Sequence, residues 1–409
     1  MKSIVAEIIL AVVVGVAAWA IVMMSGSPGP AVEAPTSMPY IDRPATAPTP
    51  GGSFDPSDVT DAHWPIFRGD QALRGAAETG TGDSLKLIWT FRTNGPVKSS
   101  VAVGEGRVFV TSGDSNVYAV NLLDGRKLWS FPTGGPIEAP PLLVDKTVFV
   151  GSTDSHLYAI DAETGEEKWK YKADAQIIGS ANWFGIVDGP ARILFGGYDE
   201  KLHCVDAADG KAVWAYETEH FINGAPAVAD GQACFGNCDG FVYVVNIADG
   251  ALARKIDSGA AVVSSPAVMG RRAYVGNYND QVVCIDLSDG KILWRYKDIS
   301  GRIFSSPAVT DESVLFGSQD ERVHCIDRAT GRRVWVFRTA GAVDSSPVVC
   351  GGSVVVASGD GRLYMLRLSD GKELWSYEIG SPITASPVVA ASAVIVGCED
   401  GSVYAFGAE

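Results

Sequence analysis

Several features are missing from the sequence: it has no adjacent pair of cysteines, no Cys-x-x-Cys-His motif and no cysteine before Cys204. The second absence excludes covalently attached c-type haem. The third argues against a bacterial lipoprotein anchor, which needs a cysteine near the N-terminus. Positive charge is also scarce, with 33 Lys and Arg against 48 Asp and Glu and a net charge of −15. An acidic chain without basic clusters argues against nucleic-acid binding.

A repeat of about 40 residues dominates what is present. Most copies end in a Trp followed two residues later by an aromatic residue. Seven copies carry this mark, at Trp89, Trp129, Trp169, Trp214, Trp294, Trp335 and Trp375. An eighth copy has Arg254 at the Trp position. A fixed period of this length is typical of a solenoid, a propeller or an array, and the content of the unit decides which.

Each unit contains four short strand-like runs, which in the sixth copy are 306–309, 313–317, 322–326 and 333–338. Val, Ile, Phe, Tyr and Trp are prominent in the runs, and Gly, Asp, Ser and Asn separate them, as in β-hairpins. No run is long or periodic enough for a helix. Four antiparallel strands repeated radially form a β-propeller blade.

The phase of the repeat predicts how the ring closes. The chain enters the pattern on a fourth strand (86–92) and ends on a third strand (402–406). The first strand can therefore complete the last blade and remove the open edges. We predict an all-β, eight-bladed propeller closed in this way.

Two turn positions recur in nearly every copy. A Gly between the third and fourth strands suits a tight turn with positive φ; it is Gly125, Gly165, Gly210, Gly250, Gly290, Gly331 and Gly371. An acidic residue between the second and third strands is Asp114, Asp154, Asp199, Asp239, Asp320, Asp360 and Asp400, with Asn279 in the fifth copy. Asp and Asn stabilise turns through their own side chains, so turn chemistry is favoured over a metal site.

These units resemble the PQQ-like propeller repeat, with close matches at 117–129, 157–169 and 283–294 over about 345 residues. The resemblance implies that each Trp packs against the turn Gly of a neighbouring blade, and residues 64–69 look like the segment that precedes the first strand. The family contains quinoprotein dehydrogenases, which have an adjacent cysteine pair and a calcium ion, and non-catalytic scaffolds. Without a Cys-Cys pair in this chain, we expect no quinone, no other cofactor and no metal.

The N-terminal residues predict attachment to a membrane. Residues 4–24 are apolar except for Glu7, and Lys2 precedes them. The segment is either a cleaved signal peptide or an uncleaved anchor, and its length favours an anchor over residues 1–24. Lys2 would then leave the propeller outside the cytoplasm. Residues 25–62 contain eight Pro and predict a disordered linker, and 63–409 form the propeller.

Cysteines and histidines fit the repeat better than an active site. Cys204, Cys284 and Cys325 share one repeat position and are predicted to lie in the core. His203 and His324 take a position that holds Tyr in other copies. His220 lies in a loop between blades, but no nucleophile or carboxylate pattern accompanies it, so no catalytic residue is predicted.

The third unit has a longer first hairpin, 182–190, that contains Trp183 and Phe184. Two aromatic residues in such a loop can form a contact surface, or they can pack on their own blade, and the second interpretation is favoured.

The crossing loops, which run from the fourth strand of one blade to the first strand of the next, are the best place for a site. One position in them is apolar in all copies and is predicted to be core: Val97, Ile137, Ile177, Ile222, Val262, Ile303, Val343 and Ile383. The next position varies and is predicted to face the channel mouth or the neighbouring loops, because side chains alternate; it is Lys98, Glu138, Ile178, Asn223, Val263, Phe304, Asp344 and Thr384.

This variety suits either a surface specialised for one partner or an unconstrained surface. The candidate contacts are Lys98, Glu138, Phe221, Asn223, Arg302, Phe304 and Asp344. Phe221, Arg302 and Phe304 stand out because aromatic residues and Arg are enriched at interface hot spots.

Within the family, the chain is most similar to the propeller subunit of the outer-membrane β-barrel assembly machinery, although that subunit is a lipoprotein. The resemblance implies a monomeric, non-catalytic scaffold that binds proteins of the bacterial cell envelope, on the periplasmic side of the membrane. Two alternatives are a quinone-dependent dehydrogenase and a carbohydrate- or cell-wall-binding module.

Overall fold

The computed structural model describes residues 63–77, 79–187 and 189–408, and within them the regular structure is entirely β. In these ranges no helix is long and apolar enough to cross a membrane. The predicted anchor (1–24) and linker (25–62) lie outside the described residues.

The strands form eight four-stranded antiparallel blades, as the repeat predicted, and one blade carries an additional short parallel strand. Blade 1 contains β3 (Ala102–Gly104), β4 (Arg107–Thr111), β5 (Asn116–Asn121) and β6 (Lys127–Pro132). Blade 2 contains β7 (Leu142–Val144), β8 (Thr147–Gly151), β9 (His156–Asp161) and β10 (Glu167–Lys172). Blade 3 contains β11 (Asn182–Ile186), β12 (Gly189–Gly196), β13 (Lys201–Asp206) and β14 (Ala212–Glu217). Blade 4 contains β15 (Ala227–Ala229), β16 (Gln232–Gly236), β17 (Phe241–Asn246) and β18 (Leu252–Asp257).

The second half of the ring repeats this arrangement. Blade 5 contains β19 (Ala267–Met269), β20 (Arg272–Asn277), β21 (Gln281–Asp286) and β22 (Ile292–Tyr296). Blade 6 contains β23 (Ala308–Val309), β24 (Ser313–Ser318), β25 (Arg322–Asp327) and β26 (Arg333–Arg338). Blade 7 contains β27 (Val348–Cys350), β28 (Ser353–Ala357), β29 (Arg362–Arg367) and β30 (Glu373–Glu378). Blade 8 contains β31 (Val388–Ala390), β32 (Ala393–Gly397), β33 (Ser402–Ala408) and, as its fourth strand, β2 (Leu85–Arg92).

The pairing of β2 with β33 closes the ring. It is antiparallel and runs from Leu85 opposite Ala408 to Arg92 opposite Ser402. The N-terminal strand therefore completes the last blade, as predicted, and one sheet joins the two ends of the propeller.

The segment 64–77, here called the lead-in, runs around the central axis along the first strands of the blades. Its carbonyl groups accept hydrogen bonds from the equivalent backbone N–H groups of Val103, Leu143, Val228, Val268, Val309 and Val349, in blades 1, 2 and 4 to 7. In blade 3 the Asn182 side chain donates to the Gln71 carbonyl at 2.7 Å. The lead-in ends in β1 (Ala76–Ala77), which pairs in parallel with β27.

Indole rings join six pairs of neighbouring blades. Each Nε1 donates to a carbonyl three residues before the turn Gly of the next blade, at 2.8–3.1 Å. A Cβ built on that Gly would lie 2.5–2.7 Å from the indole, so only Gly fits. Trp375 is an exception to the predicted docking, because blade 8 has no turn between β33 and β2; Trp375 instead packs against Tyr377 and Phe406.

The turn carboxylates also have partners within their own blades. A Tyr hydroxyl donates to Asp114, Asp154, Asp239, Asp360 and Asp400. His203 and His324 replace this Tyr and contact Asp199 and Asp320 at 2.9 and 3.1 Å. The fifth blade has Val283 in place of Tyr and Asn279 in place of Asp, so the carboxylate is absent where its partner is absent.

The three cysteines predicted to be core and the two aromatic residues of the long hairpin pack inside the propeller, as favoured from the sequence. Cys204, Cys284 and Cys325 are fully buried, and all seven cysteines are unpaired thiols. Phe184 is buried, and Trp183 packs against a hydrophobic cluster that includes Ile66 and Leu73 of the lead-in.

Candidate functional site

The crossing loops surround one end of the central channel. Their eight apolar side chains, Val97 to Ile383, are 0–2% exposed, which confirms them as core. The eight variable side chains that follow them line a single cavity of about 190 Å³, to which the lead-in contributes Phe67. We call this cavity and its rim the channel mouth. The eight variable side chains therefore do lie together, as strand alternation predicted. That they bind a partner remains a prediction.

A second set of residues at the channel mouth was missed from the sequence. These residues precede the turn Asp or Asn of each blade, and they include Tyr198, Cys238, Tyr278, Gln319 and Glu399. The signal that could have found them is the contrast between an almost constant turn residue and a variable residue directly before it.

Aromatic contacts connect the two sets. The ring of Phe221 stacks on Tyr198 with centroids 4.8 Å apart. Phe304 meets Tyr278 edge to face at 5.6 Å, and the Arg302 guanidinium lies 5.3 Å from the centre of the Tyr278 ring. Burial, with smaller effects of nearby groups, raises the pKa of Tyr278 to about 12, so this hydroxyl is a neutral donor at physiological pH.

Two polar side chains of the channel mouth have an unsatisfied buried oxygen. Asp344 Oδ1 and Asn223 Oδ1 are shielded from solvent and have no hydrogen-bond partner. Burial raises the pKa of Asp344, Gln319 opposes this by hydrogen bonding, and the charge of Glu399 adds to it. Asn223 donates through Nδ2 to Cys238 Sγ at 3.3 Å, and Thr384 donates to Glu399 at 2.9 Å.

A belt of serines supports the channel mouth. The hydroxyls of Ser265, Ser306, Ser346 and Ser386 each accept a hydrogen bond from a backbone N–H of the preceding blade, at 2.8–3.0 Å. These bonds join blades 4 to 8 directly below the variable side chains. The site therefore stands on a base of hydrogen bonds between blades, which is the usual support for a specific contact surface.

The charge of the cavity does not suit a quinone cofactor with three carboxylates. Lys98 is the one basic side chain that lines the cavity, and Glu138 and Asp344 line it as well. Such an anion needs several cationic or donor groups to replace its hydration. Among the described residues, no group of three or more His, Cys, Asp or Glu has the arrangement of a metal site. We therefore assign no catalytic step to this cavity.

Comparison with known proteins relates most of the propeller to one family. A family model described as outer membrane protein assembly factor BamB matches residues 81–183, 185–253 and 239–409. A search of curated proteins gave no significant match.

Three solved structures show the same fold at low identity. BamB from Moraxella catarrhalis has a TM-score of 0.69 and 19% identity, over 80% of this chain and 98% of that one. The computationally designed Ika8 protein has a TM-score of 0.70 and 17% identity, over 79% and 99%. A quinohemoprotein alcohol dehydrogenase from Pseudomonas putida HK5 has a TM-score of 0.71 and 13% identity, over 86% and 80%. At these identities the structures share the fold alone.

Proposed function

Since the chain belongs to the PQQ-like propeller family whose model is described as outer membrane protein assembly factor BamB, we propose that it is a non-catalytic, protein-binding scaffold of the bacterial cell envelope. In this proposal the N-terminal segment anchors the chain in the membrane, the propeller is periplasmic, and its partners take part in outer-membrane protein assembly.

One observation carries the binding proposal. Eight blades of nearly the same sequence pattern place eight side chains around one cavity. Two of these side chains are aliphatic, and the other six are of six different residue types. A purely structural position would repeat, as the apolar ring directly beside it does. Variation concentrated at the axis, with Phe221, Arg302 and Phe304 among the aromatic contacts, suits one specific protein partner.

The test is cross-linking in native membranes, followed by affinity purification and mass spectrometry. Wild-type chain is compared with Phe221→Ala, Arg302→Ala and Phe304→Ala, which we expect to lose an outer-membrane assembly partner by tenfold or more. Leu128→Ala and Arg338→Ala are matched controls, because both side chains are exposed on fourth strands away from the channel mouth. Equal loss in the controls, or a bound chromophore after incubation with quinone and calcium, would contradict the proposal.

A further inference from the structure

The side chains of the channel mouth separate by polarity into two halves of the ring. Blades 3 to 6 supply an apolar half, made of Ile178, Tyr198, Phe221, Val263, Tyr278 and Phe304. Blades 7, 8, 1 and 2 supply a charged half, made of Asp344, Thr384, Glu399, Lys98 and Glu138. Each half covers four consecutive blades, so the mouth has an apolar side and a charged side.

The apolar half offers aromatic and aliphatic surface to a partner. Phe221 is 37% exposed, and the other five side chains are half-buried. Two polar side chains within this half are engaged with neighbours, because the Asn223 amide donates to Cys238 and the Arg302 guanidinium lies over the Tyr278 ring. Surface of this kind, rich in aromatic rings, forms the centre of protein interfaces.

The charged half has more carboxylates than cations. It contains Glu138, Asp344 and Glu399 against Lys98, and none of the described residues forms an ion pair with any of these four. A largely buried carboxylate such as Asp344 costs stability when no positive charge compensates it. A cation brought by a partner would recover that cost.

The turn carboxylates around the mouth add to its negative potential. Backbone N–H groups of the crossing loops donate to Asp114, Asp154, Asp199 and Asp320, so these turns lie at the same end of the ring as the mouth. Burial raises the pKa of these four carboxyls, but hydrogen bonds outweigh it and hold each pKa below its usual value. They are therefore ionised, and their field favours a basic partner.

The cavity between the two halves suits a single side chain. Its volume of about 190 Å³ is below the roughly 300–1,000 Å³ of typical small-molecule sites. Glu138 and Asp344 line it, and so do Val263 and Phe304. Lys or Arg matches these walls, because the aliphatic stem can pack on apolar groups while the charged end meets a carboxylate.

We propose that the partner docks on the channel mouth through an amphipathic segment, whose apolar side chains cover the apolar half and whose Lys or Arg enters the cavity beside Glu138 and Asp344. This inference rests on the function proposed above and specifies the chemistry of the partner. An acidic segment would meet like charges on blades 2, 7 and 8, and a wholly apolar segment would bury the carboxylates without compensation.

Photo-cross-linking of the full chain in native membranes tests the orientation of the segment. The cross-linker p-benzoyl-phenylalanine replaces Phe304 in the apolar half or, in a second chain, Thr384 in the charged half, and mass spectrometry identifies the linked peptides. Both positions should capture one segment of the same partner. Apolar residues should be linked at position 304, and a Lys or Arg should lie directly beside the residue linked at position 384.

Charge reversal tests the sign of the complementarity, with recovery of the same partner by affinity purification as the readout. Lys98→Glu adds negative charge without breaking an ion pair, so recovery should rise about threefold or more. Glu138→Lys should lower recovery about tenfold. Glu163→Lys is the matched control, because it makes the same change in net charge on an exposed turn at the other end of blade 2, and it should leave recovery unchanged.

Asp344→Asn separates binding from stability. Loss of the uncompensated charge should raise the melting temperature and, in the same variant, lower recovery of the partner about threefold or more. A residue with a merely structural role would shift both readouts in the same direction or leave recovery unchanged.

Failure of this inference differs from failure of the proposed function. Capture of a partner at both positions together with lower recovery in Lys98→Glu, or with an acidic segment at position 384, would overturn the inference and leave the scaffold function standing. Capture of no protein at either position would overturn binding at the channel mouth and the inference with it.

Discussion

At the scale of single residues, the turn carboxylates show which features could be predicted from the sequence and which could not. Asp114 and its equivalents were recognised as turn residues, but their Tyr or His partners were not, because the two residues meet only after the hairpin forms. Burial raises the pKa of Asp114, and hydrogen bonds from Tyr118, Asn94, Asn116 and Ser112 more than offset this and bring it below its usual value. The Asp114 carboxylate is therefore held in its ionised form.

Tyr118→Phe tests this pairing. The variant removes a 2.6 Å hydrogen bond to a carboxylate, and we expect the free energy of unfolding at pH 7 to fall by about 1–2 kcal/mol. A lowered pKa stabilises the fold above the unfolded value of about 3.9, and this contribution disappears as the pH falls through the folded value. Denaturant unfolding should therefore show a smaller difference at pH 3 than at pH 7. A difference that is independent of pH would contradict the pairing.

Asp344 predicts the opposite pH dependence, because its pKa is raised by burial. The folded state binds the proton more tightly than the unfolded chain, so the cost in stability begins as the pH rises above the unfolded pKa and is complete above the folded pKa. Asp344→Asn keeps the shape without the charge and should raise the free energy of unfolding at pH 7 by on the order of 1 kcal/mol. The gain should vanish at acidic pH. Glu163→Gln, on an exposed outer turn, is the control and should change neither value.

At the scale of elements, the strands and joints followed from sequence, whereas the lead-in did not. Alternation, turn residues and the 40-residue period determine the blades locally, so the strands of the sixth copy agree with the prediction within two residues. The path of the lead-in depends on contacts with seven blades at once. No local pattern encodes such contacts, and residues 64–69 showed only that a segment of this type was present.

Gly75→Ala tests how tightly the lead-in is fitted. Gly75 has φ +66, and a Cβ there would lie 1.8 Å from Arg68 Nη2, whose side chain is fully buried. Burial, partly opposed by the charge of Asp70, lowers the pKa of Arg68 to about 9, as expected for a guanidinium removed from solvent. We expect Gly75→Ala to lower the free energy of unfolding by about 2–4 kcal/mol, from backbone strain and overpacking.

The double variant Gly75→Ala, Arg68→Ala separates these two causes. If the clash dominates, the second substitution should recover part of the loss, which is a coupling between neighbours. Gly352→Ala is the control, since a Cβ at Gly352 meets nothing within 4 Å. A loss in Gly75→Ala no larger than in Gly352→Ala, in denaturant unfolding, would show that the lead-in is loosely packed.

At the scale of the whole molecule, the number of blades and the mode of closure could be read from the phase of the repeat. The repeat starts on a fourth strand and ends on a third strand, so only one pairing completes the ring. The channel mouth could be predicted only in part. Its variable ring was found by alternation. The side chains before the turn Asp or Asn, such as Tyr198 and Tyr278, come from different blades and meet only when the blades pack around the axis.

Closure itself predicts how the molecule unfolds. Removal of residues 402–409 deletes β33, which pairs with both β2 and β32, and leaves an open array with two unpaired edges. Blades in an open array contact only their neighbours, so unfolding should become stepwise and begin at the ends. Calorimetry should show a broad transition at lower temperature in place of a single one.

Phe109→Ala is the control, because it makes a cavity at a fully buried site within an intact ring and should lower the melting temperature while the transition stays single. A single sharp transition in the truncated chain would mean that the seven remaining blades cooperate without closure.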